Sequence, residues 1–531
     1  MSVRQEIQTI FAQAIGNGEP APLEEPKNLD YGDYATNIAL HLAKPLKKAP
    51  KVIARELASK LAAQTADFIF SEINGFINIR VSDRRLFQEL AKITPDYGKP
   101  DPDMLFAPFG SAQGAPPTAP RRQKILLEYV SANPTGPLHI GHGRWAVIGD
   151  VLARTLVYCG QQVTREFYIN DAGGQIANFV DSVQAVRQNQ PVPENGYHGA
   201  YIQELAKLAA DPVQTMLDQQ KATLQNIRSE FDSWFSEKTL HESGAVDSAL
   251  EILRRKNLLY TGANEYTGAL VFRSTDFGDD KDRVLVKSNG EKTYFTADIA
   301  YHQNKLDRGF DRLINIWGAD HHGYIARVRA AIEALTGRKN VLQVILGQLV
   351  NLFRGGAPVK MSKRTGELIT LQEVIEEIGV DAARYFLAAA RPDTALDFDL
   401  ELAKKQSNDN PVYYVQYAYA RICSILRQAE IPRGQVMASP PDKLETAERM
   451  LILKMIRLPE EIETIARNYA IHRLCAYAQE LAALFHNFYH ECRVISEDIQ
   501  TTARRLQIIQ AAQTILKIIF DLLAVKAPEK M

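Results

Sequence analysis

Cysteine is scarce: 531 residues contain four, Cys159, Cys423, Cys475 and Cys492. None forms a Cys-x-x-Cys pair and none lies beside clustered histidines. A disulfide framework and a protein-bound zinc or other metal are therefore not expected, and reduced thiols in a cytoplasmic protein are. Long apolar runs are missing too. No stretch of about 18 uncharged apolar residues is present, so no membrane span is expected. The start, Met1-Ser-Val-Arg-Gln-Glu-Ile7, lacks the basic segment followed by an apolar run that a secretory leader needs. Nor is there an excess of either charge: Lys and Arg total 62, Asp and Glu 63, for a net −1. Bulk charge thus does not advertise a polyanionic partner, although a balanced total says nothing of how charge is distributed. No internal repeat is visible. What remains is ordinary globular material, 46% apolar and 24% charged. At roughly 100–200 residues per domain the length suggests about three domains.

Patterning divides the chain. Residues 1–97 read as a small α+β module, helical over 35–46 and 51–63. A strand pair, Phe68-Ile-Phe70 and Phe76-Ile-Asn-Ile-Arg80, flanks the turn signal Asn74-Gly75. Residues 98–120 are rich in Pro, Gly, Ser and Ala and read as a linker. A buried strand is expected at Lys124-Ile-Leu-Leu-Glu-Tyr-Val130, then a turn at Ser131-Ala-Asn-Pro-Thr-Gly-Pro137. A helix follows over 141–158, ended by Gly160, and a strand at 162–169. Strand, tight loop, helix, strand is a βαβ unit, which implies a parallel Rossmann-like sheet with a ligand at the carboxyl ends of its strands. Later strands are expected at Ile314–Trp317 and Val341–Leu346. The α/β region runs over 121–400, with a polar helical insertion at about 185–260. Residues 401–531 read as amphipathic helix throughout, an all-α bundle with helices over 418–427, 445–466, 471–488 and 502–523.

Two stretches carry chemistry. The first is Pro134-Thr-Gly-Pro-Leu-His-Ile-Gly-His-Gly143, which places His139 and His142 where a helix begins after a strand. A helix N-terminus offers unpaired N–H groups and partial positive charge, so it attracts phosphate. Imidazoles there add donors where charge develops on a pentacoordinate phosphorus. Gly141, lacking a Cβ, leaves room for a flat adenine. The second is Val359-Lys-Met-Ser-Lys-Arg-Thr-Gly366, preceded by Gly355-Gly356. Its ammonium groups, Lys360 and Lys363, suit a leaving pyrophosphate, and a loop that engages the triphosphate only during reaction lowers the barrier without overbinding ATP. A rival reading takes Gly141-His-Gly-Arg-Trp-Ala146 as a G-x-G-x-x-A dinucleotide fingerprint, with Glu166 or Asp171 on a ribose; this makes an NAD(P)-dependent dehydrogenase the alternative.

Together the two stretches resemble the HIGH and KMSKS signatures of class I aminoacyl-tRNA synthetases. More narrowly, the chain resembles the arginyl-tRNA synthetase family. The strings are Glu128-Tyr-Val-Ser-Ala-Asn-Pro-Thr-Gly-Pro-Leu-His-Ile-Gly-His142, Tyr168-Ile-Asn-Asp-Ala-Gly-Gly174, Trp317-Gly-Ala-Asp-His-His-Gly-Tyr324, Asn410-Pro-Val-Tyr-Tyr-Val-Gln-Tyr-Ala418 and Asp30-Tyr-Gly-Asp-Tyr-Ala-Thr-Asn37. The resemblance implies ATP-dependent charging of tRNA(Arg) with L-arginine through an adenylate, with Mg²⁺ accompanying ATP. It makes His139, His142, Lys360 and Lys363 catalytic. Gly136, Gly141, Gly318, Asp320, His321, His322, Met361 and Ser362 join His139, His142 and Lys363 around ATP. Glu128, Ser131, Asn133, His142, Tyr294, Asp298 and Asp320 surround arginine. The strings do not divide Asp320, His321 and His322 between the two substrates. Guanidinium is planar and permanently charged and is best held by carboxylates and aromatic faces; Tyr294 and Asp298, at i and i+4, share one helical face. The second signature departs from the pattern, reading Lys-Met-Ser-Lys-Arg. Asp381-Ala-Ala-Arg384 is similar to the D-A-L-R string of the family's anticodon-binding domain, with Ala383 replacing leucine. The resemblance assigns residues 1–97 to the tRNA corner and 401–531 to the anticodon, where Tyr413, Tyr414, Tyr417 and Tyr419 are candidates for base stacking. A monomer is expected.

Overall fold

A computed structural model describes residues 2–16, 20–103, 105–106, 122–263, 266–359, 369–429 and 438–531. Its centre is a five-stranded parallel sheet in the order Leu342–Gly347, Arg312–Gly318, Lys124–Glu128, Gln162–Ile169, Ser233–Ser236. Lys124–Glu128 is the middle strand, and its Ile-Leu-Leu run is completely buried, as a strand covered on both faces requires. The helix Ile140–Tyr158 crosses from this strand to the next and packs against the sheet through Val147, Val151 and Leu156. It comes very close: a Cβ on Gly149 would sit 2.3 Å from the Tyr129 ring, so only glycine fits there.

The sheet corrects the expectation of a helical insertion over 185–260. Helices Ala200–Lys207 and Pro212–Asn226 lie there, but the chain then returns as the edge strand Ser233–Ser236, paired in parallel with Glu166–Ile169. Four half-buried residues have too little alternation to signal a strand. A small antiparallel sheet, Leu259–Thr261, Leu270–Phe272 and Arg283–Val286, was not foreseen. Nor was Leu396–Asp399, a strand parallel to Val350–Arg354 at the end of the α/β region.

The N-terminal module holds a three-stranded antiparallel sheet with Phe76–Val81 between Tyr34–Thr36 and Phe68–Ile73. Its helix begins at Ile38 rather than at residue 35, because Tyr34–Thr36 is spent on the sheet. The region read as a linker is partly packed where it is described. Leu105 is buried, Tyr158 Oη donates to the Tyr97 carbonyl at 2.6 Å, and Gln161 Nε2 donates to that of Pro102 at 2.8 Å. After residue 400 the chain forms helices Leu400–Lys404, Pro411–Gln428, Thr446–Ile456, Leu458–Asn468, His472–Glu491 and Ile499–Leu523. The helix expected over 445–466 is two, since Pro459 lacks the N–H that a continuing ladder needs. Ile499–Leu523 is long and apolar enough to cross a bilayer by length and composition, although 61% of its most apolar stretch is buried inside the protein.

Arg384 ties the bundle to the catalytic sheet. It is fully buried and donates to the carbonyls of Leu523 (2.7 Å), Ile227 (2.7 Å) and Arg228 (3.1 Å) and to the carboxylate of Asp150 on the helix Ile140–Tyr158. Removing one member of a buried pair strands the other charge, at a cost of about 3–5 kcal/mol. Asp150→Ala is therefore expected to lower the thermal melting temperature clearly, whereas Asp393→Ala, which breaks the exposed pair with Arg391, leaves it unchanged.

Candidate active site

The chain leaves the central strand through Val130 (φ 68) and Ser131 (φ 44), both left-handed. For a β-branched residue this costs on the order of 1–3 kcal/mol. The turn brings Ser131 back on Glu128: its Oγ donates to Glu128 Oε1 at 3.0 Å and accepts from the Tyr168 amide at 3.2 Å. The Asn133–Gly136 stretch is then braced from the far side of the cleft. Gln220 Nε2 donates to the carbonyls of Asn133 (3.0 Å) and Gly136 (2.9 Å), and Tyr201 Oη to that of Thr135 (3.1 Å). No spacing in the sequence marked Gln220 or Tyr201.

His139 is the N-cap of the signature helix. Its Nδ1 accepts from the Gly141 amide at 3.1 Å, and the Nδ1 of His142 accepts from the His139 amide at 3.2 Å. With both Nδ1 atoms accepting, the proton of each neutral ring resides on Nε2. The rings stack 3.7 Å apart at 22°, so the two donors are presented side by side. Gly141 also makes room for the capping imidazole, since a Cβ there would meet the His139 ring at 3.0 Å.

The cleft has a volume of about 1500 Å³, and its walls include Glu128, Ser131, Asn133, Gly136, His139, His142, Tyr294, Asp298, Gly318, Asp320 and His321. His322 is exposed outside it. Lys360, Met361, Ser362 and Lys363 lie outside the described residues. The chain on their carboxyl side is described: Thr370 forms a β-bridge with His139, the Leu371 amide donates to the Leu138 carbonyl at 2.7 Å, and Thr370 and Glu373 line the cleft. The chain that follows the second signature stretch therefore reaches the cavity that the first one lines.

Acid gathers at one end. Tyr294 and Asp298 both come from the helix Tyr294–Asp307, with Tyr294 72% exposed to the cleft. Asp298 accepts from Tyr324 Oη. Burial raises its pKa to about 7, with Glu128 and Glu237 adding to the rise and the Tyr324 hydroxyl and Lys305 opposing it. A carboxylate so placed, desolvated among like charges, is completed by an incoming cation. Trp145, His302, Tyr301 and Asn315 also line the cavity and carried no motif signal. The acids required by a dinucleotide reading are occupied elsewhere. Glu166 is fully buried, taken by Arg308 (2.6 and 2.9 Å), Tyr301 (2.7 Å) and Ser233 (2.8 Å), and Asp171 accepts from Ser236 Oγ at 2.6 Å.

The raised pKa makes Asp298 a liability to the empty protein. Between about pH 4 and pH 7 the native chain retains a proton that the unfolded chain has released, so Asp298 subtracts from stability as pH rises through that window. Asp298→Asn is expected to melt at the wild-type temperature below about pH 4 and above it at pH 8, in calorimetry without substrates.

Comparison with known proteins agrees with this geometry. The arginyl-tRNA synthetase N-terminal domain matches residues 1–81, the class I (R) tRNA synthetase catalytic domain matches 111–208 and 194–406, and the DALR anticodon-binding domain matches 415–531. An arginine–tRNA ligase of Desulforamulus reducens is 42% identical over 569 residues, spanning 100% of this chain and 98% of its own. One of Shouchella clausii is 44% identical, spanning 96% and 94%. The fold is similar to that of the Thermus thermophilus arginyl-tRNA synthetase, with a TM-score of 0.80, 22% identity and full coverage of both chains. With the family's N-terminal, catalytic and anticodon-binding domains following one another along its length, the chain belongs to the arginyl-tRNA synthetase family.

Proposed function

We propose that the protein ligates L-arginine to tRNA(Arg) with ATP as the energy source, through an arginyl-adenylate. The observation that carries this reading is that the stacked imidazole pair and the acidic Tyr294–Asp298 face line one cavity. Arginine lies with its guanidinium toward Asp298 and Glu128, Asn133 and Ser131 near its α-carbon, and its carboxylate toward the α-phosphate of ATP. In-line attack by a carboxylate oxygen forms the acyl-phosphate bond and expels pyrophosphate. The Nε2–H groups of His139 and His142 donate to the oxygens that gain charge, and Lys360 and Lys363 receive the leaving group. ATP enters as its Mg²⁺ complex, the ion offsetting triphosphate charge. Gly136, Gly318, Asp320, His321, Met361 and Ser362 surround the nucleotide. In the second step a hydroxyl of the terminal tRNA ribose attacks the acyl carbon and AMP leaves. No protein nucleophile is required, because each substrate brings its own.

The outer domains fit the same partner. Residues 401–531 serve the anticodon and residues 1–97 the corner of the tRNA, and we infer a monomer working in the cytoplasm. Arginine-dependent ATP–pyrophosphate exchange, run with and without tRNA, tests the first step; no exchange under either condition overturns it. His142→Ala and Lys363→Ala are each expected to slow activation by about 3–4 kcal/mol of barrier with arginine KM little changed. Asp298→Ala is expected to raise arginine KM, and an unchanged KM would place the guanidinium elsewhere.

A further inference from the structure

Behind the acidic end of the cleft, outside its lining, lies a lysine that the sequence did not single out. Lys305 is fully buried, two turns after Asp298 on the same helix. We propose that Lys305 is the positioning residue that holds the Glu128 carboxylate in place at the arginine site it shares with Asp298. The proposal rests on the arginine reading above and extends it to a residue that touches no substrate.

The contacts form one chain. The Lys305 ammonium donates to Glu128 Oε2 and, at 3.3 Å, to Asn315 Oδ1. Ser131 Oγ holds the other oxygen of Glu128, so the plane of that carboxylate is fixed from both sides and its remaining lone pairs face the cleft. Asn315 is fully buried on the strand Arg312–Gly318, and its Nδ2 lies 3.3 Å from His302 Nε2; His302 Nδ1 lies 2.8 Å from the carbonyl oxygen of Asp298. Since the amide Nδ2 is a donor, His302 Nε2 accepts and Nδ1–H donates to Asp298. Burial and the nearby Lys305 hold His302 well below its usual range, at about 3, so this arrangement persists at neutral pH. The Glu128 carboxylate on the strand and the backbone carbonyl of Asp298 on the helix are thereby joined through Lys305, Asn315 and His302.

The electrostatics point the same way. Glu128, across the sheet, is the carboxylate that Lys305 contacts directly. Glu166, on the neighbouring strand, is matched by Arg308 but is also held down by Lys305. On its own helix Lys305 faces Asp298, the neutral His302 and the Tyr301 ring, whose centroid is 4.1 Å from the ammonium. Glu237 adds negative charge near Asp298 from the edge of the sheet. Without the ammonium, Asp298 would lose a positive charge that opposes the rise in its pKa.

The test is a double-mutant cycle on Glu128→Gln and Lys305→Gln, read as arginine KM and kcat in tRNA charging from pH 6 to 9. Lys305→Gln is expected to raise arginine KM by about tenfold or more at pH 7. The kcat at saturating arginine should stay within about threefold of wild type. In the Glu128→Gln background the second substitution should add little, because Lys305 acts through Glu128. The double variant leaves no lone buried charge, so it reports even if Lys305→Gln alone fails to fold: a KM equal to that of Glu128→Gln supports the proposal, and a further rise overturns it. A wild-type enzyme that charges arginine while the two losses multiply tells against Lys305 alone; a wild type that charges no arginine overturns the functional reading as well.

Discussion

The Nδ1 of His139 accepts the Gly141 amide, and the Nδ1 of His142 accepts the His139 amide. Much of the site depends on this reciprocal cap. It spends the ring atoms that face the helix on orphan backbone donors and turns the opposite nitrogens outward as donors. An aspartate cap would satisfy the same amides but would present no donor to a phosphate. The cap also fixes where the chain can pass, since Thr370 pairs with the capping residue itself. The segment that follows the lysine stretch is thus registered against the imidazoles by backbone bonds.

Around that cap the protein sorts its buried charges into two kinds. Asp150 with Arg384, and Glu166 with Arg308, are closed pairs whose charge is matched within the chain. They hold elements together and offer nothing to a ligand. Asp298 is different: its direct side-chain partner is a tyrosine hydroxyl rather than a cation, and burial lifts its pKa as far as about 7. The contrast separates structural acid from functional acid more sharply than residue type does. Glu166 and Asp298 are both acids near the ends of core elements, and only the second faces the cavity.

The outer modules are joined by charge as well as by apolar packing. Arg449, from the bundle, donates to the carboxylates of Asp33 and Asp83 in the N-terminal module and to the Val81 carbonyl at 3.0 Å. Glu460 accepts from Tyr34 Oη at 2.9 Å and pairs with Arg4. The first and last regions of the chain thereby meet each other, while Arg384 anchors the bundle to the helix that carries the imidazoles. A tRNA gripped at both ends would act on one connected body.

The sequence by itself determined the local elements whose signals are local. The alternating or continuous apolar runs yielded the strands at 124–128 and 162–169, Gly160 the end of the signature helix, and the spacing of His139, His142, Tyr294 and Asp298 the faces on which they lie. Motif strings were enough for the family, because a phosphate-binding helix start followed by a paired-lysine stretch is rare by chance. Only the tertiary structure decided the rest. That Ser233–Ser236 belongs to the sheet depends on a pairing across some 65 residues, which four half-buried positions cannot signal. That Gly141 serves His139, that Gln220 braces the turn, and that Lys305 sits behind Glu128 are facts of contact between distant segments. Periodicity and composition report which face of an element is buried, but not which side chain it meets there.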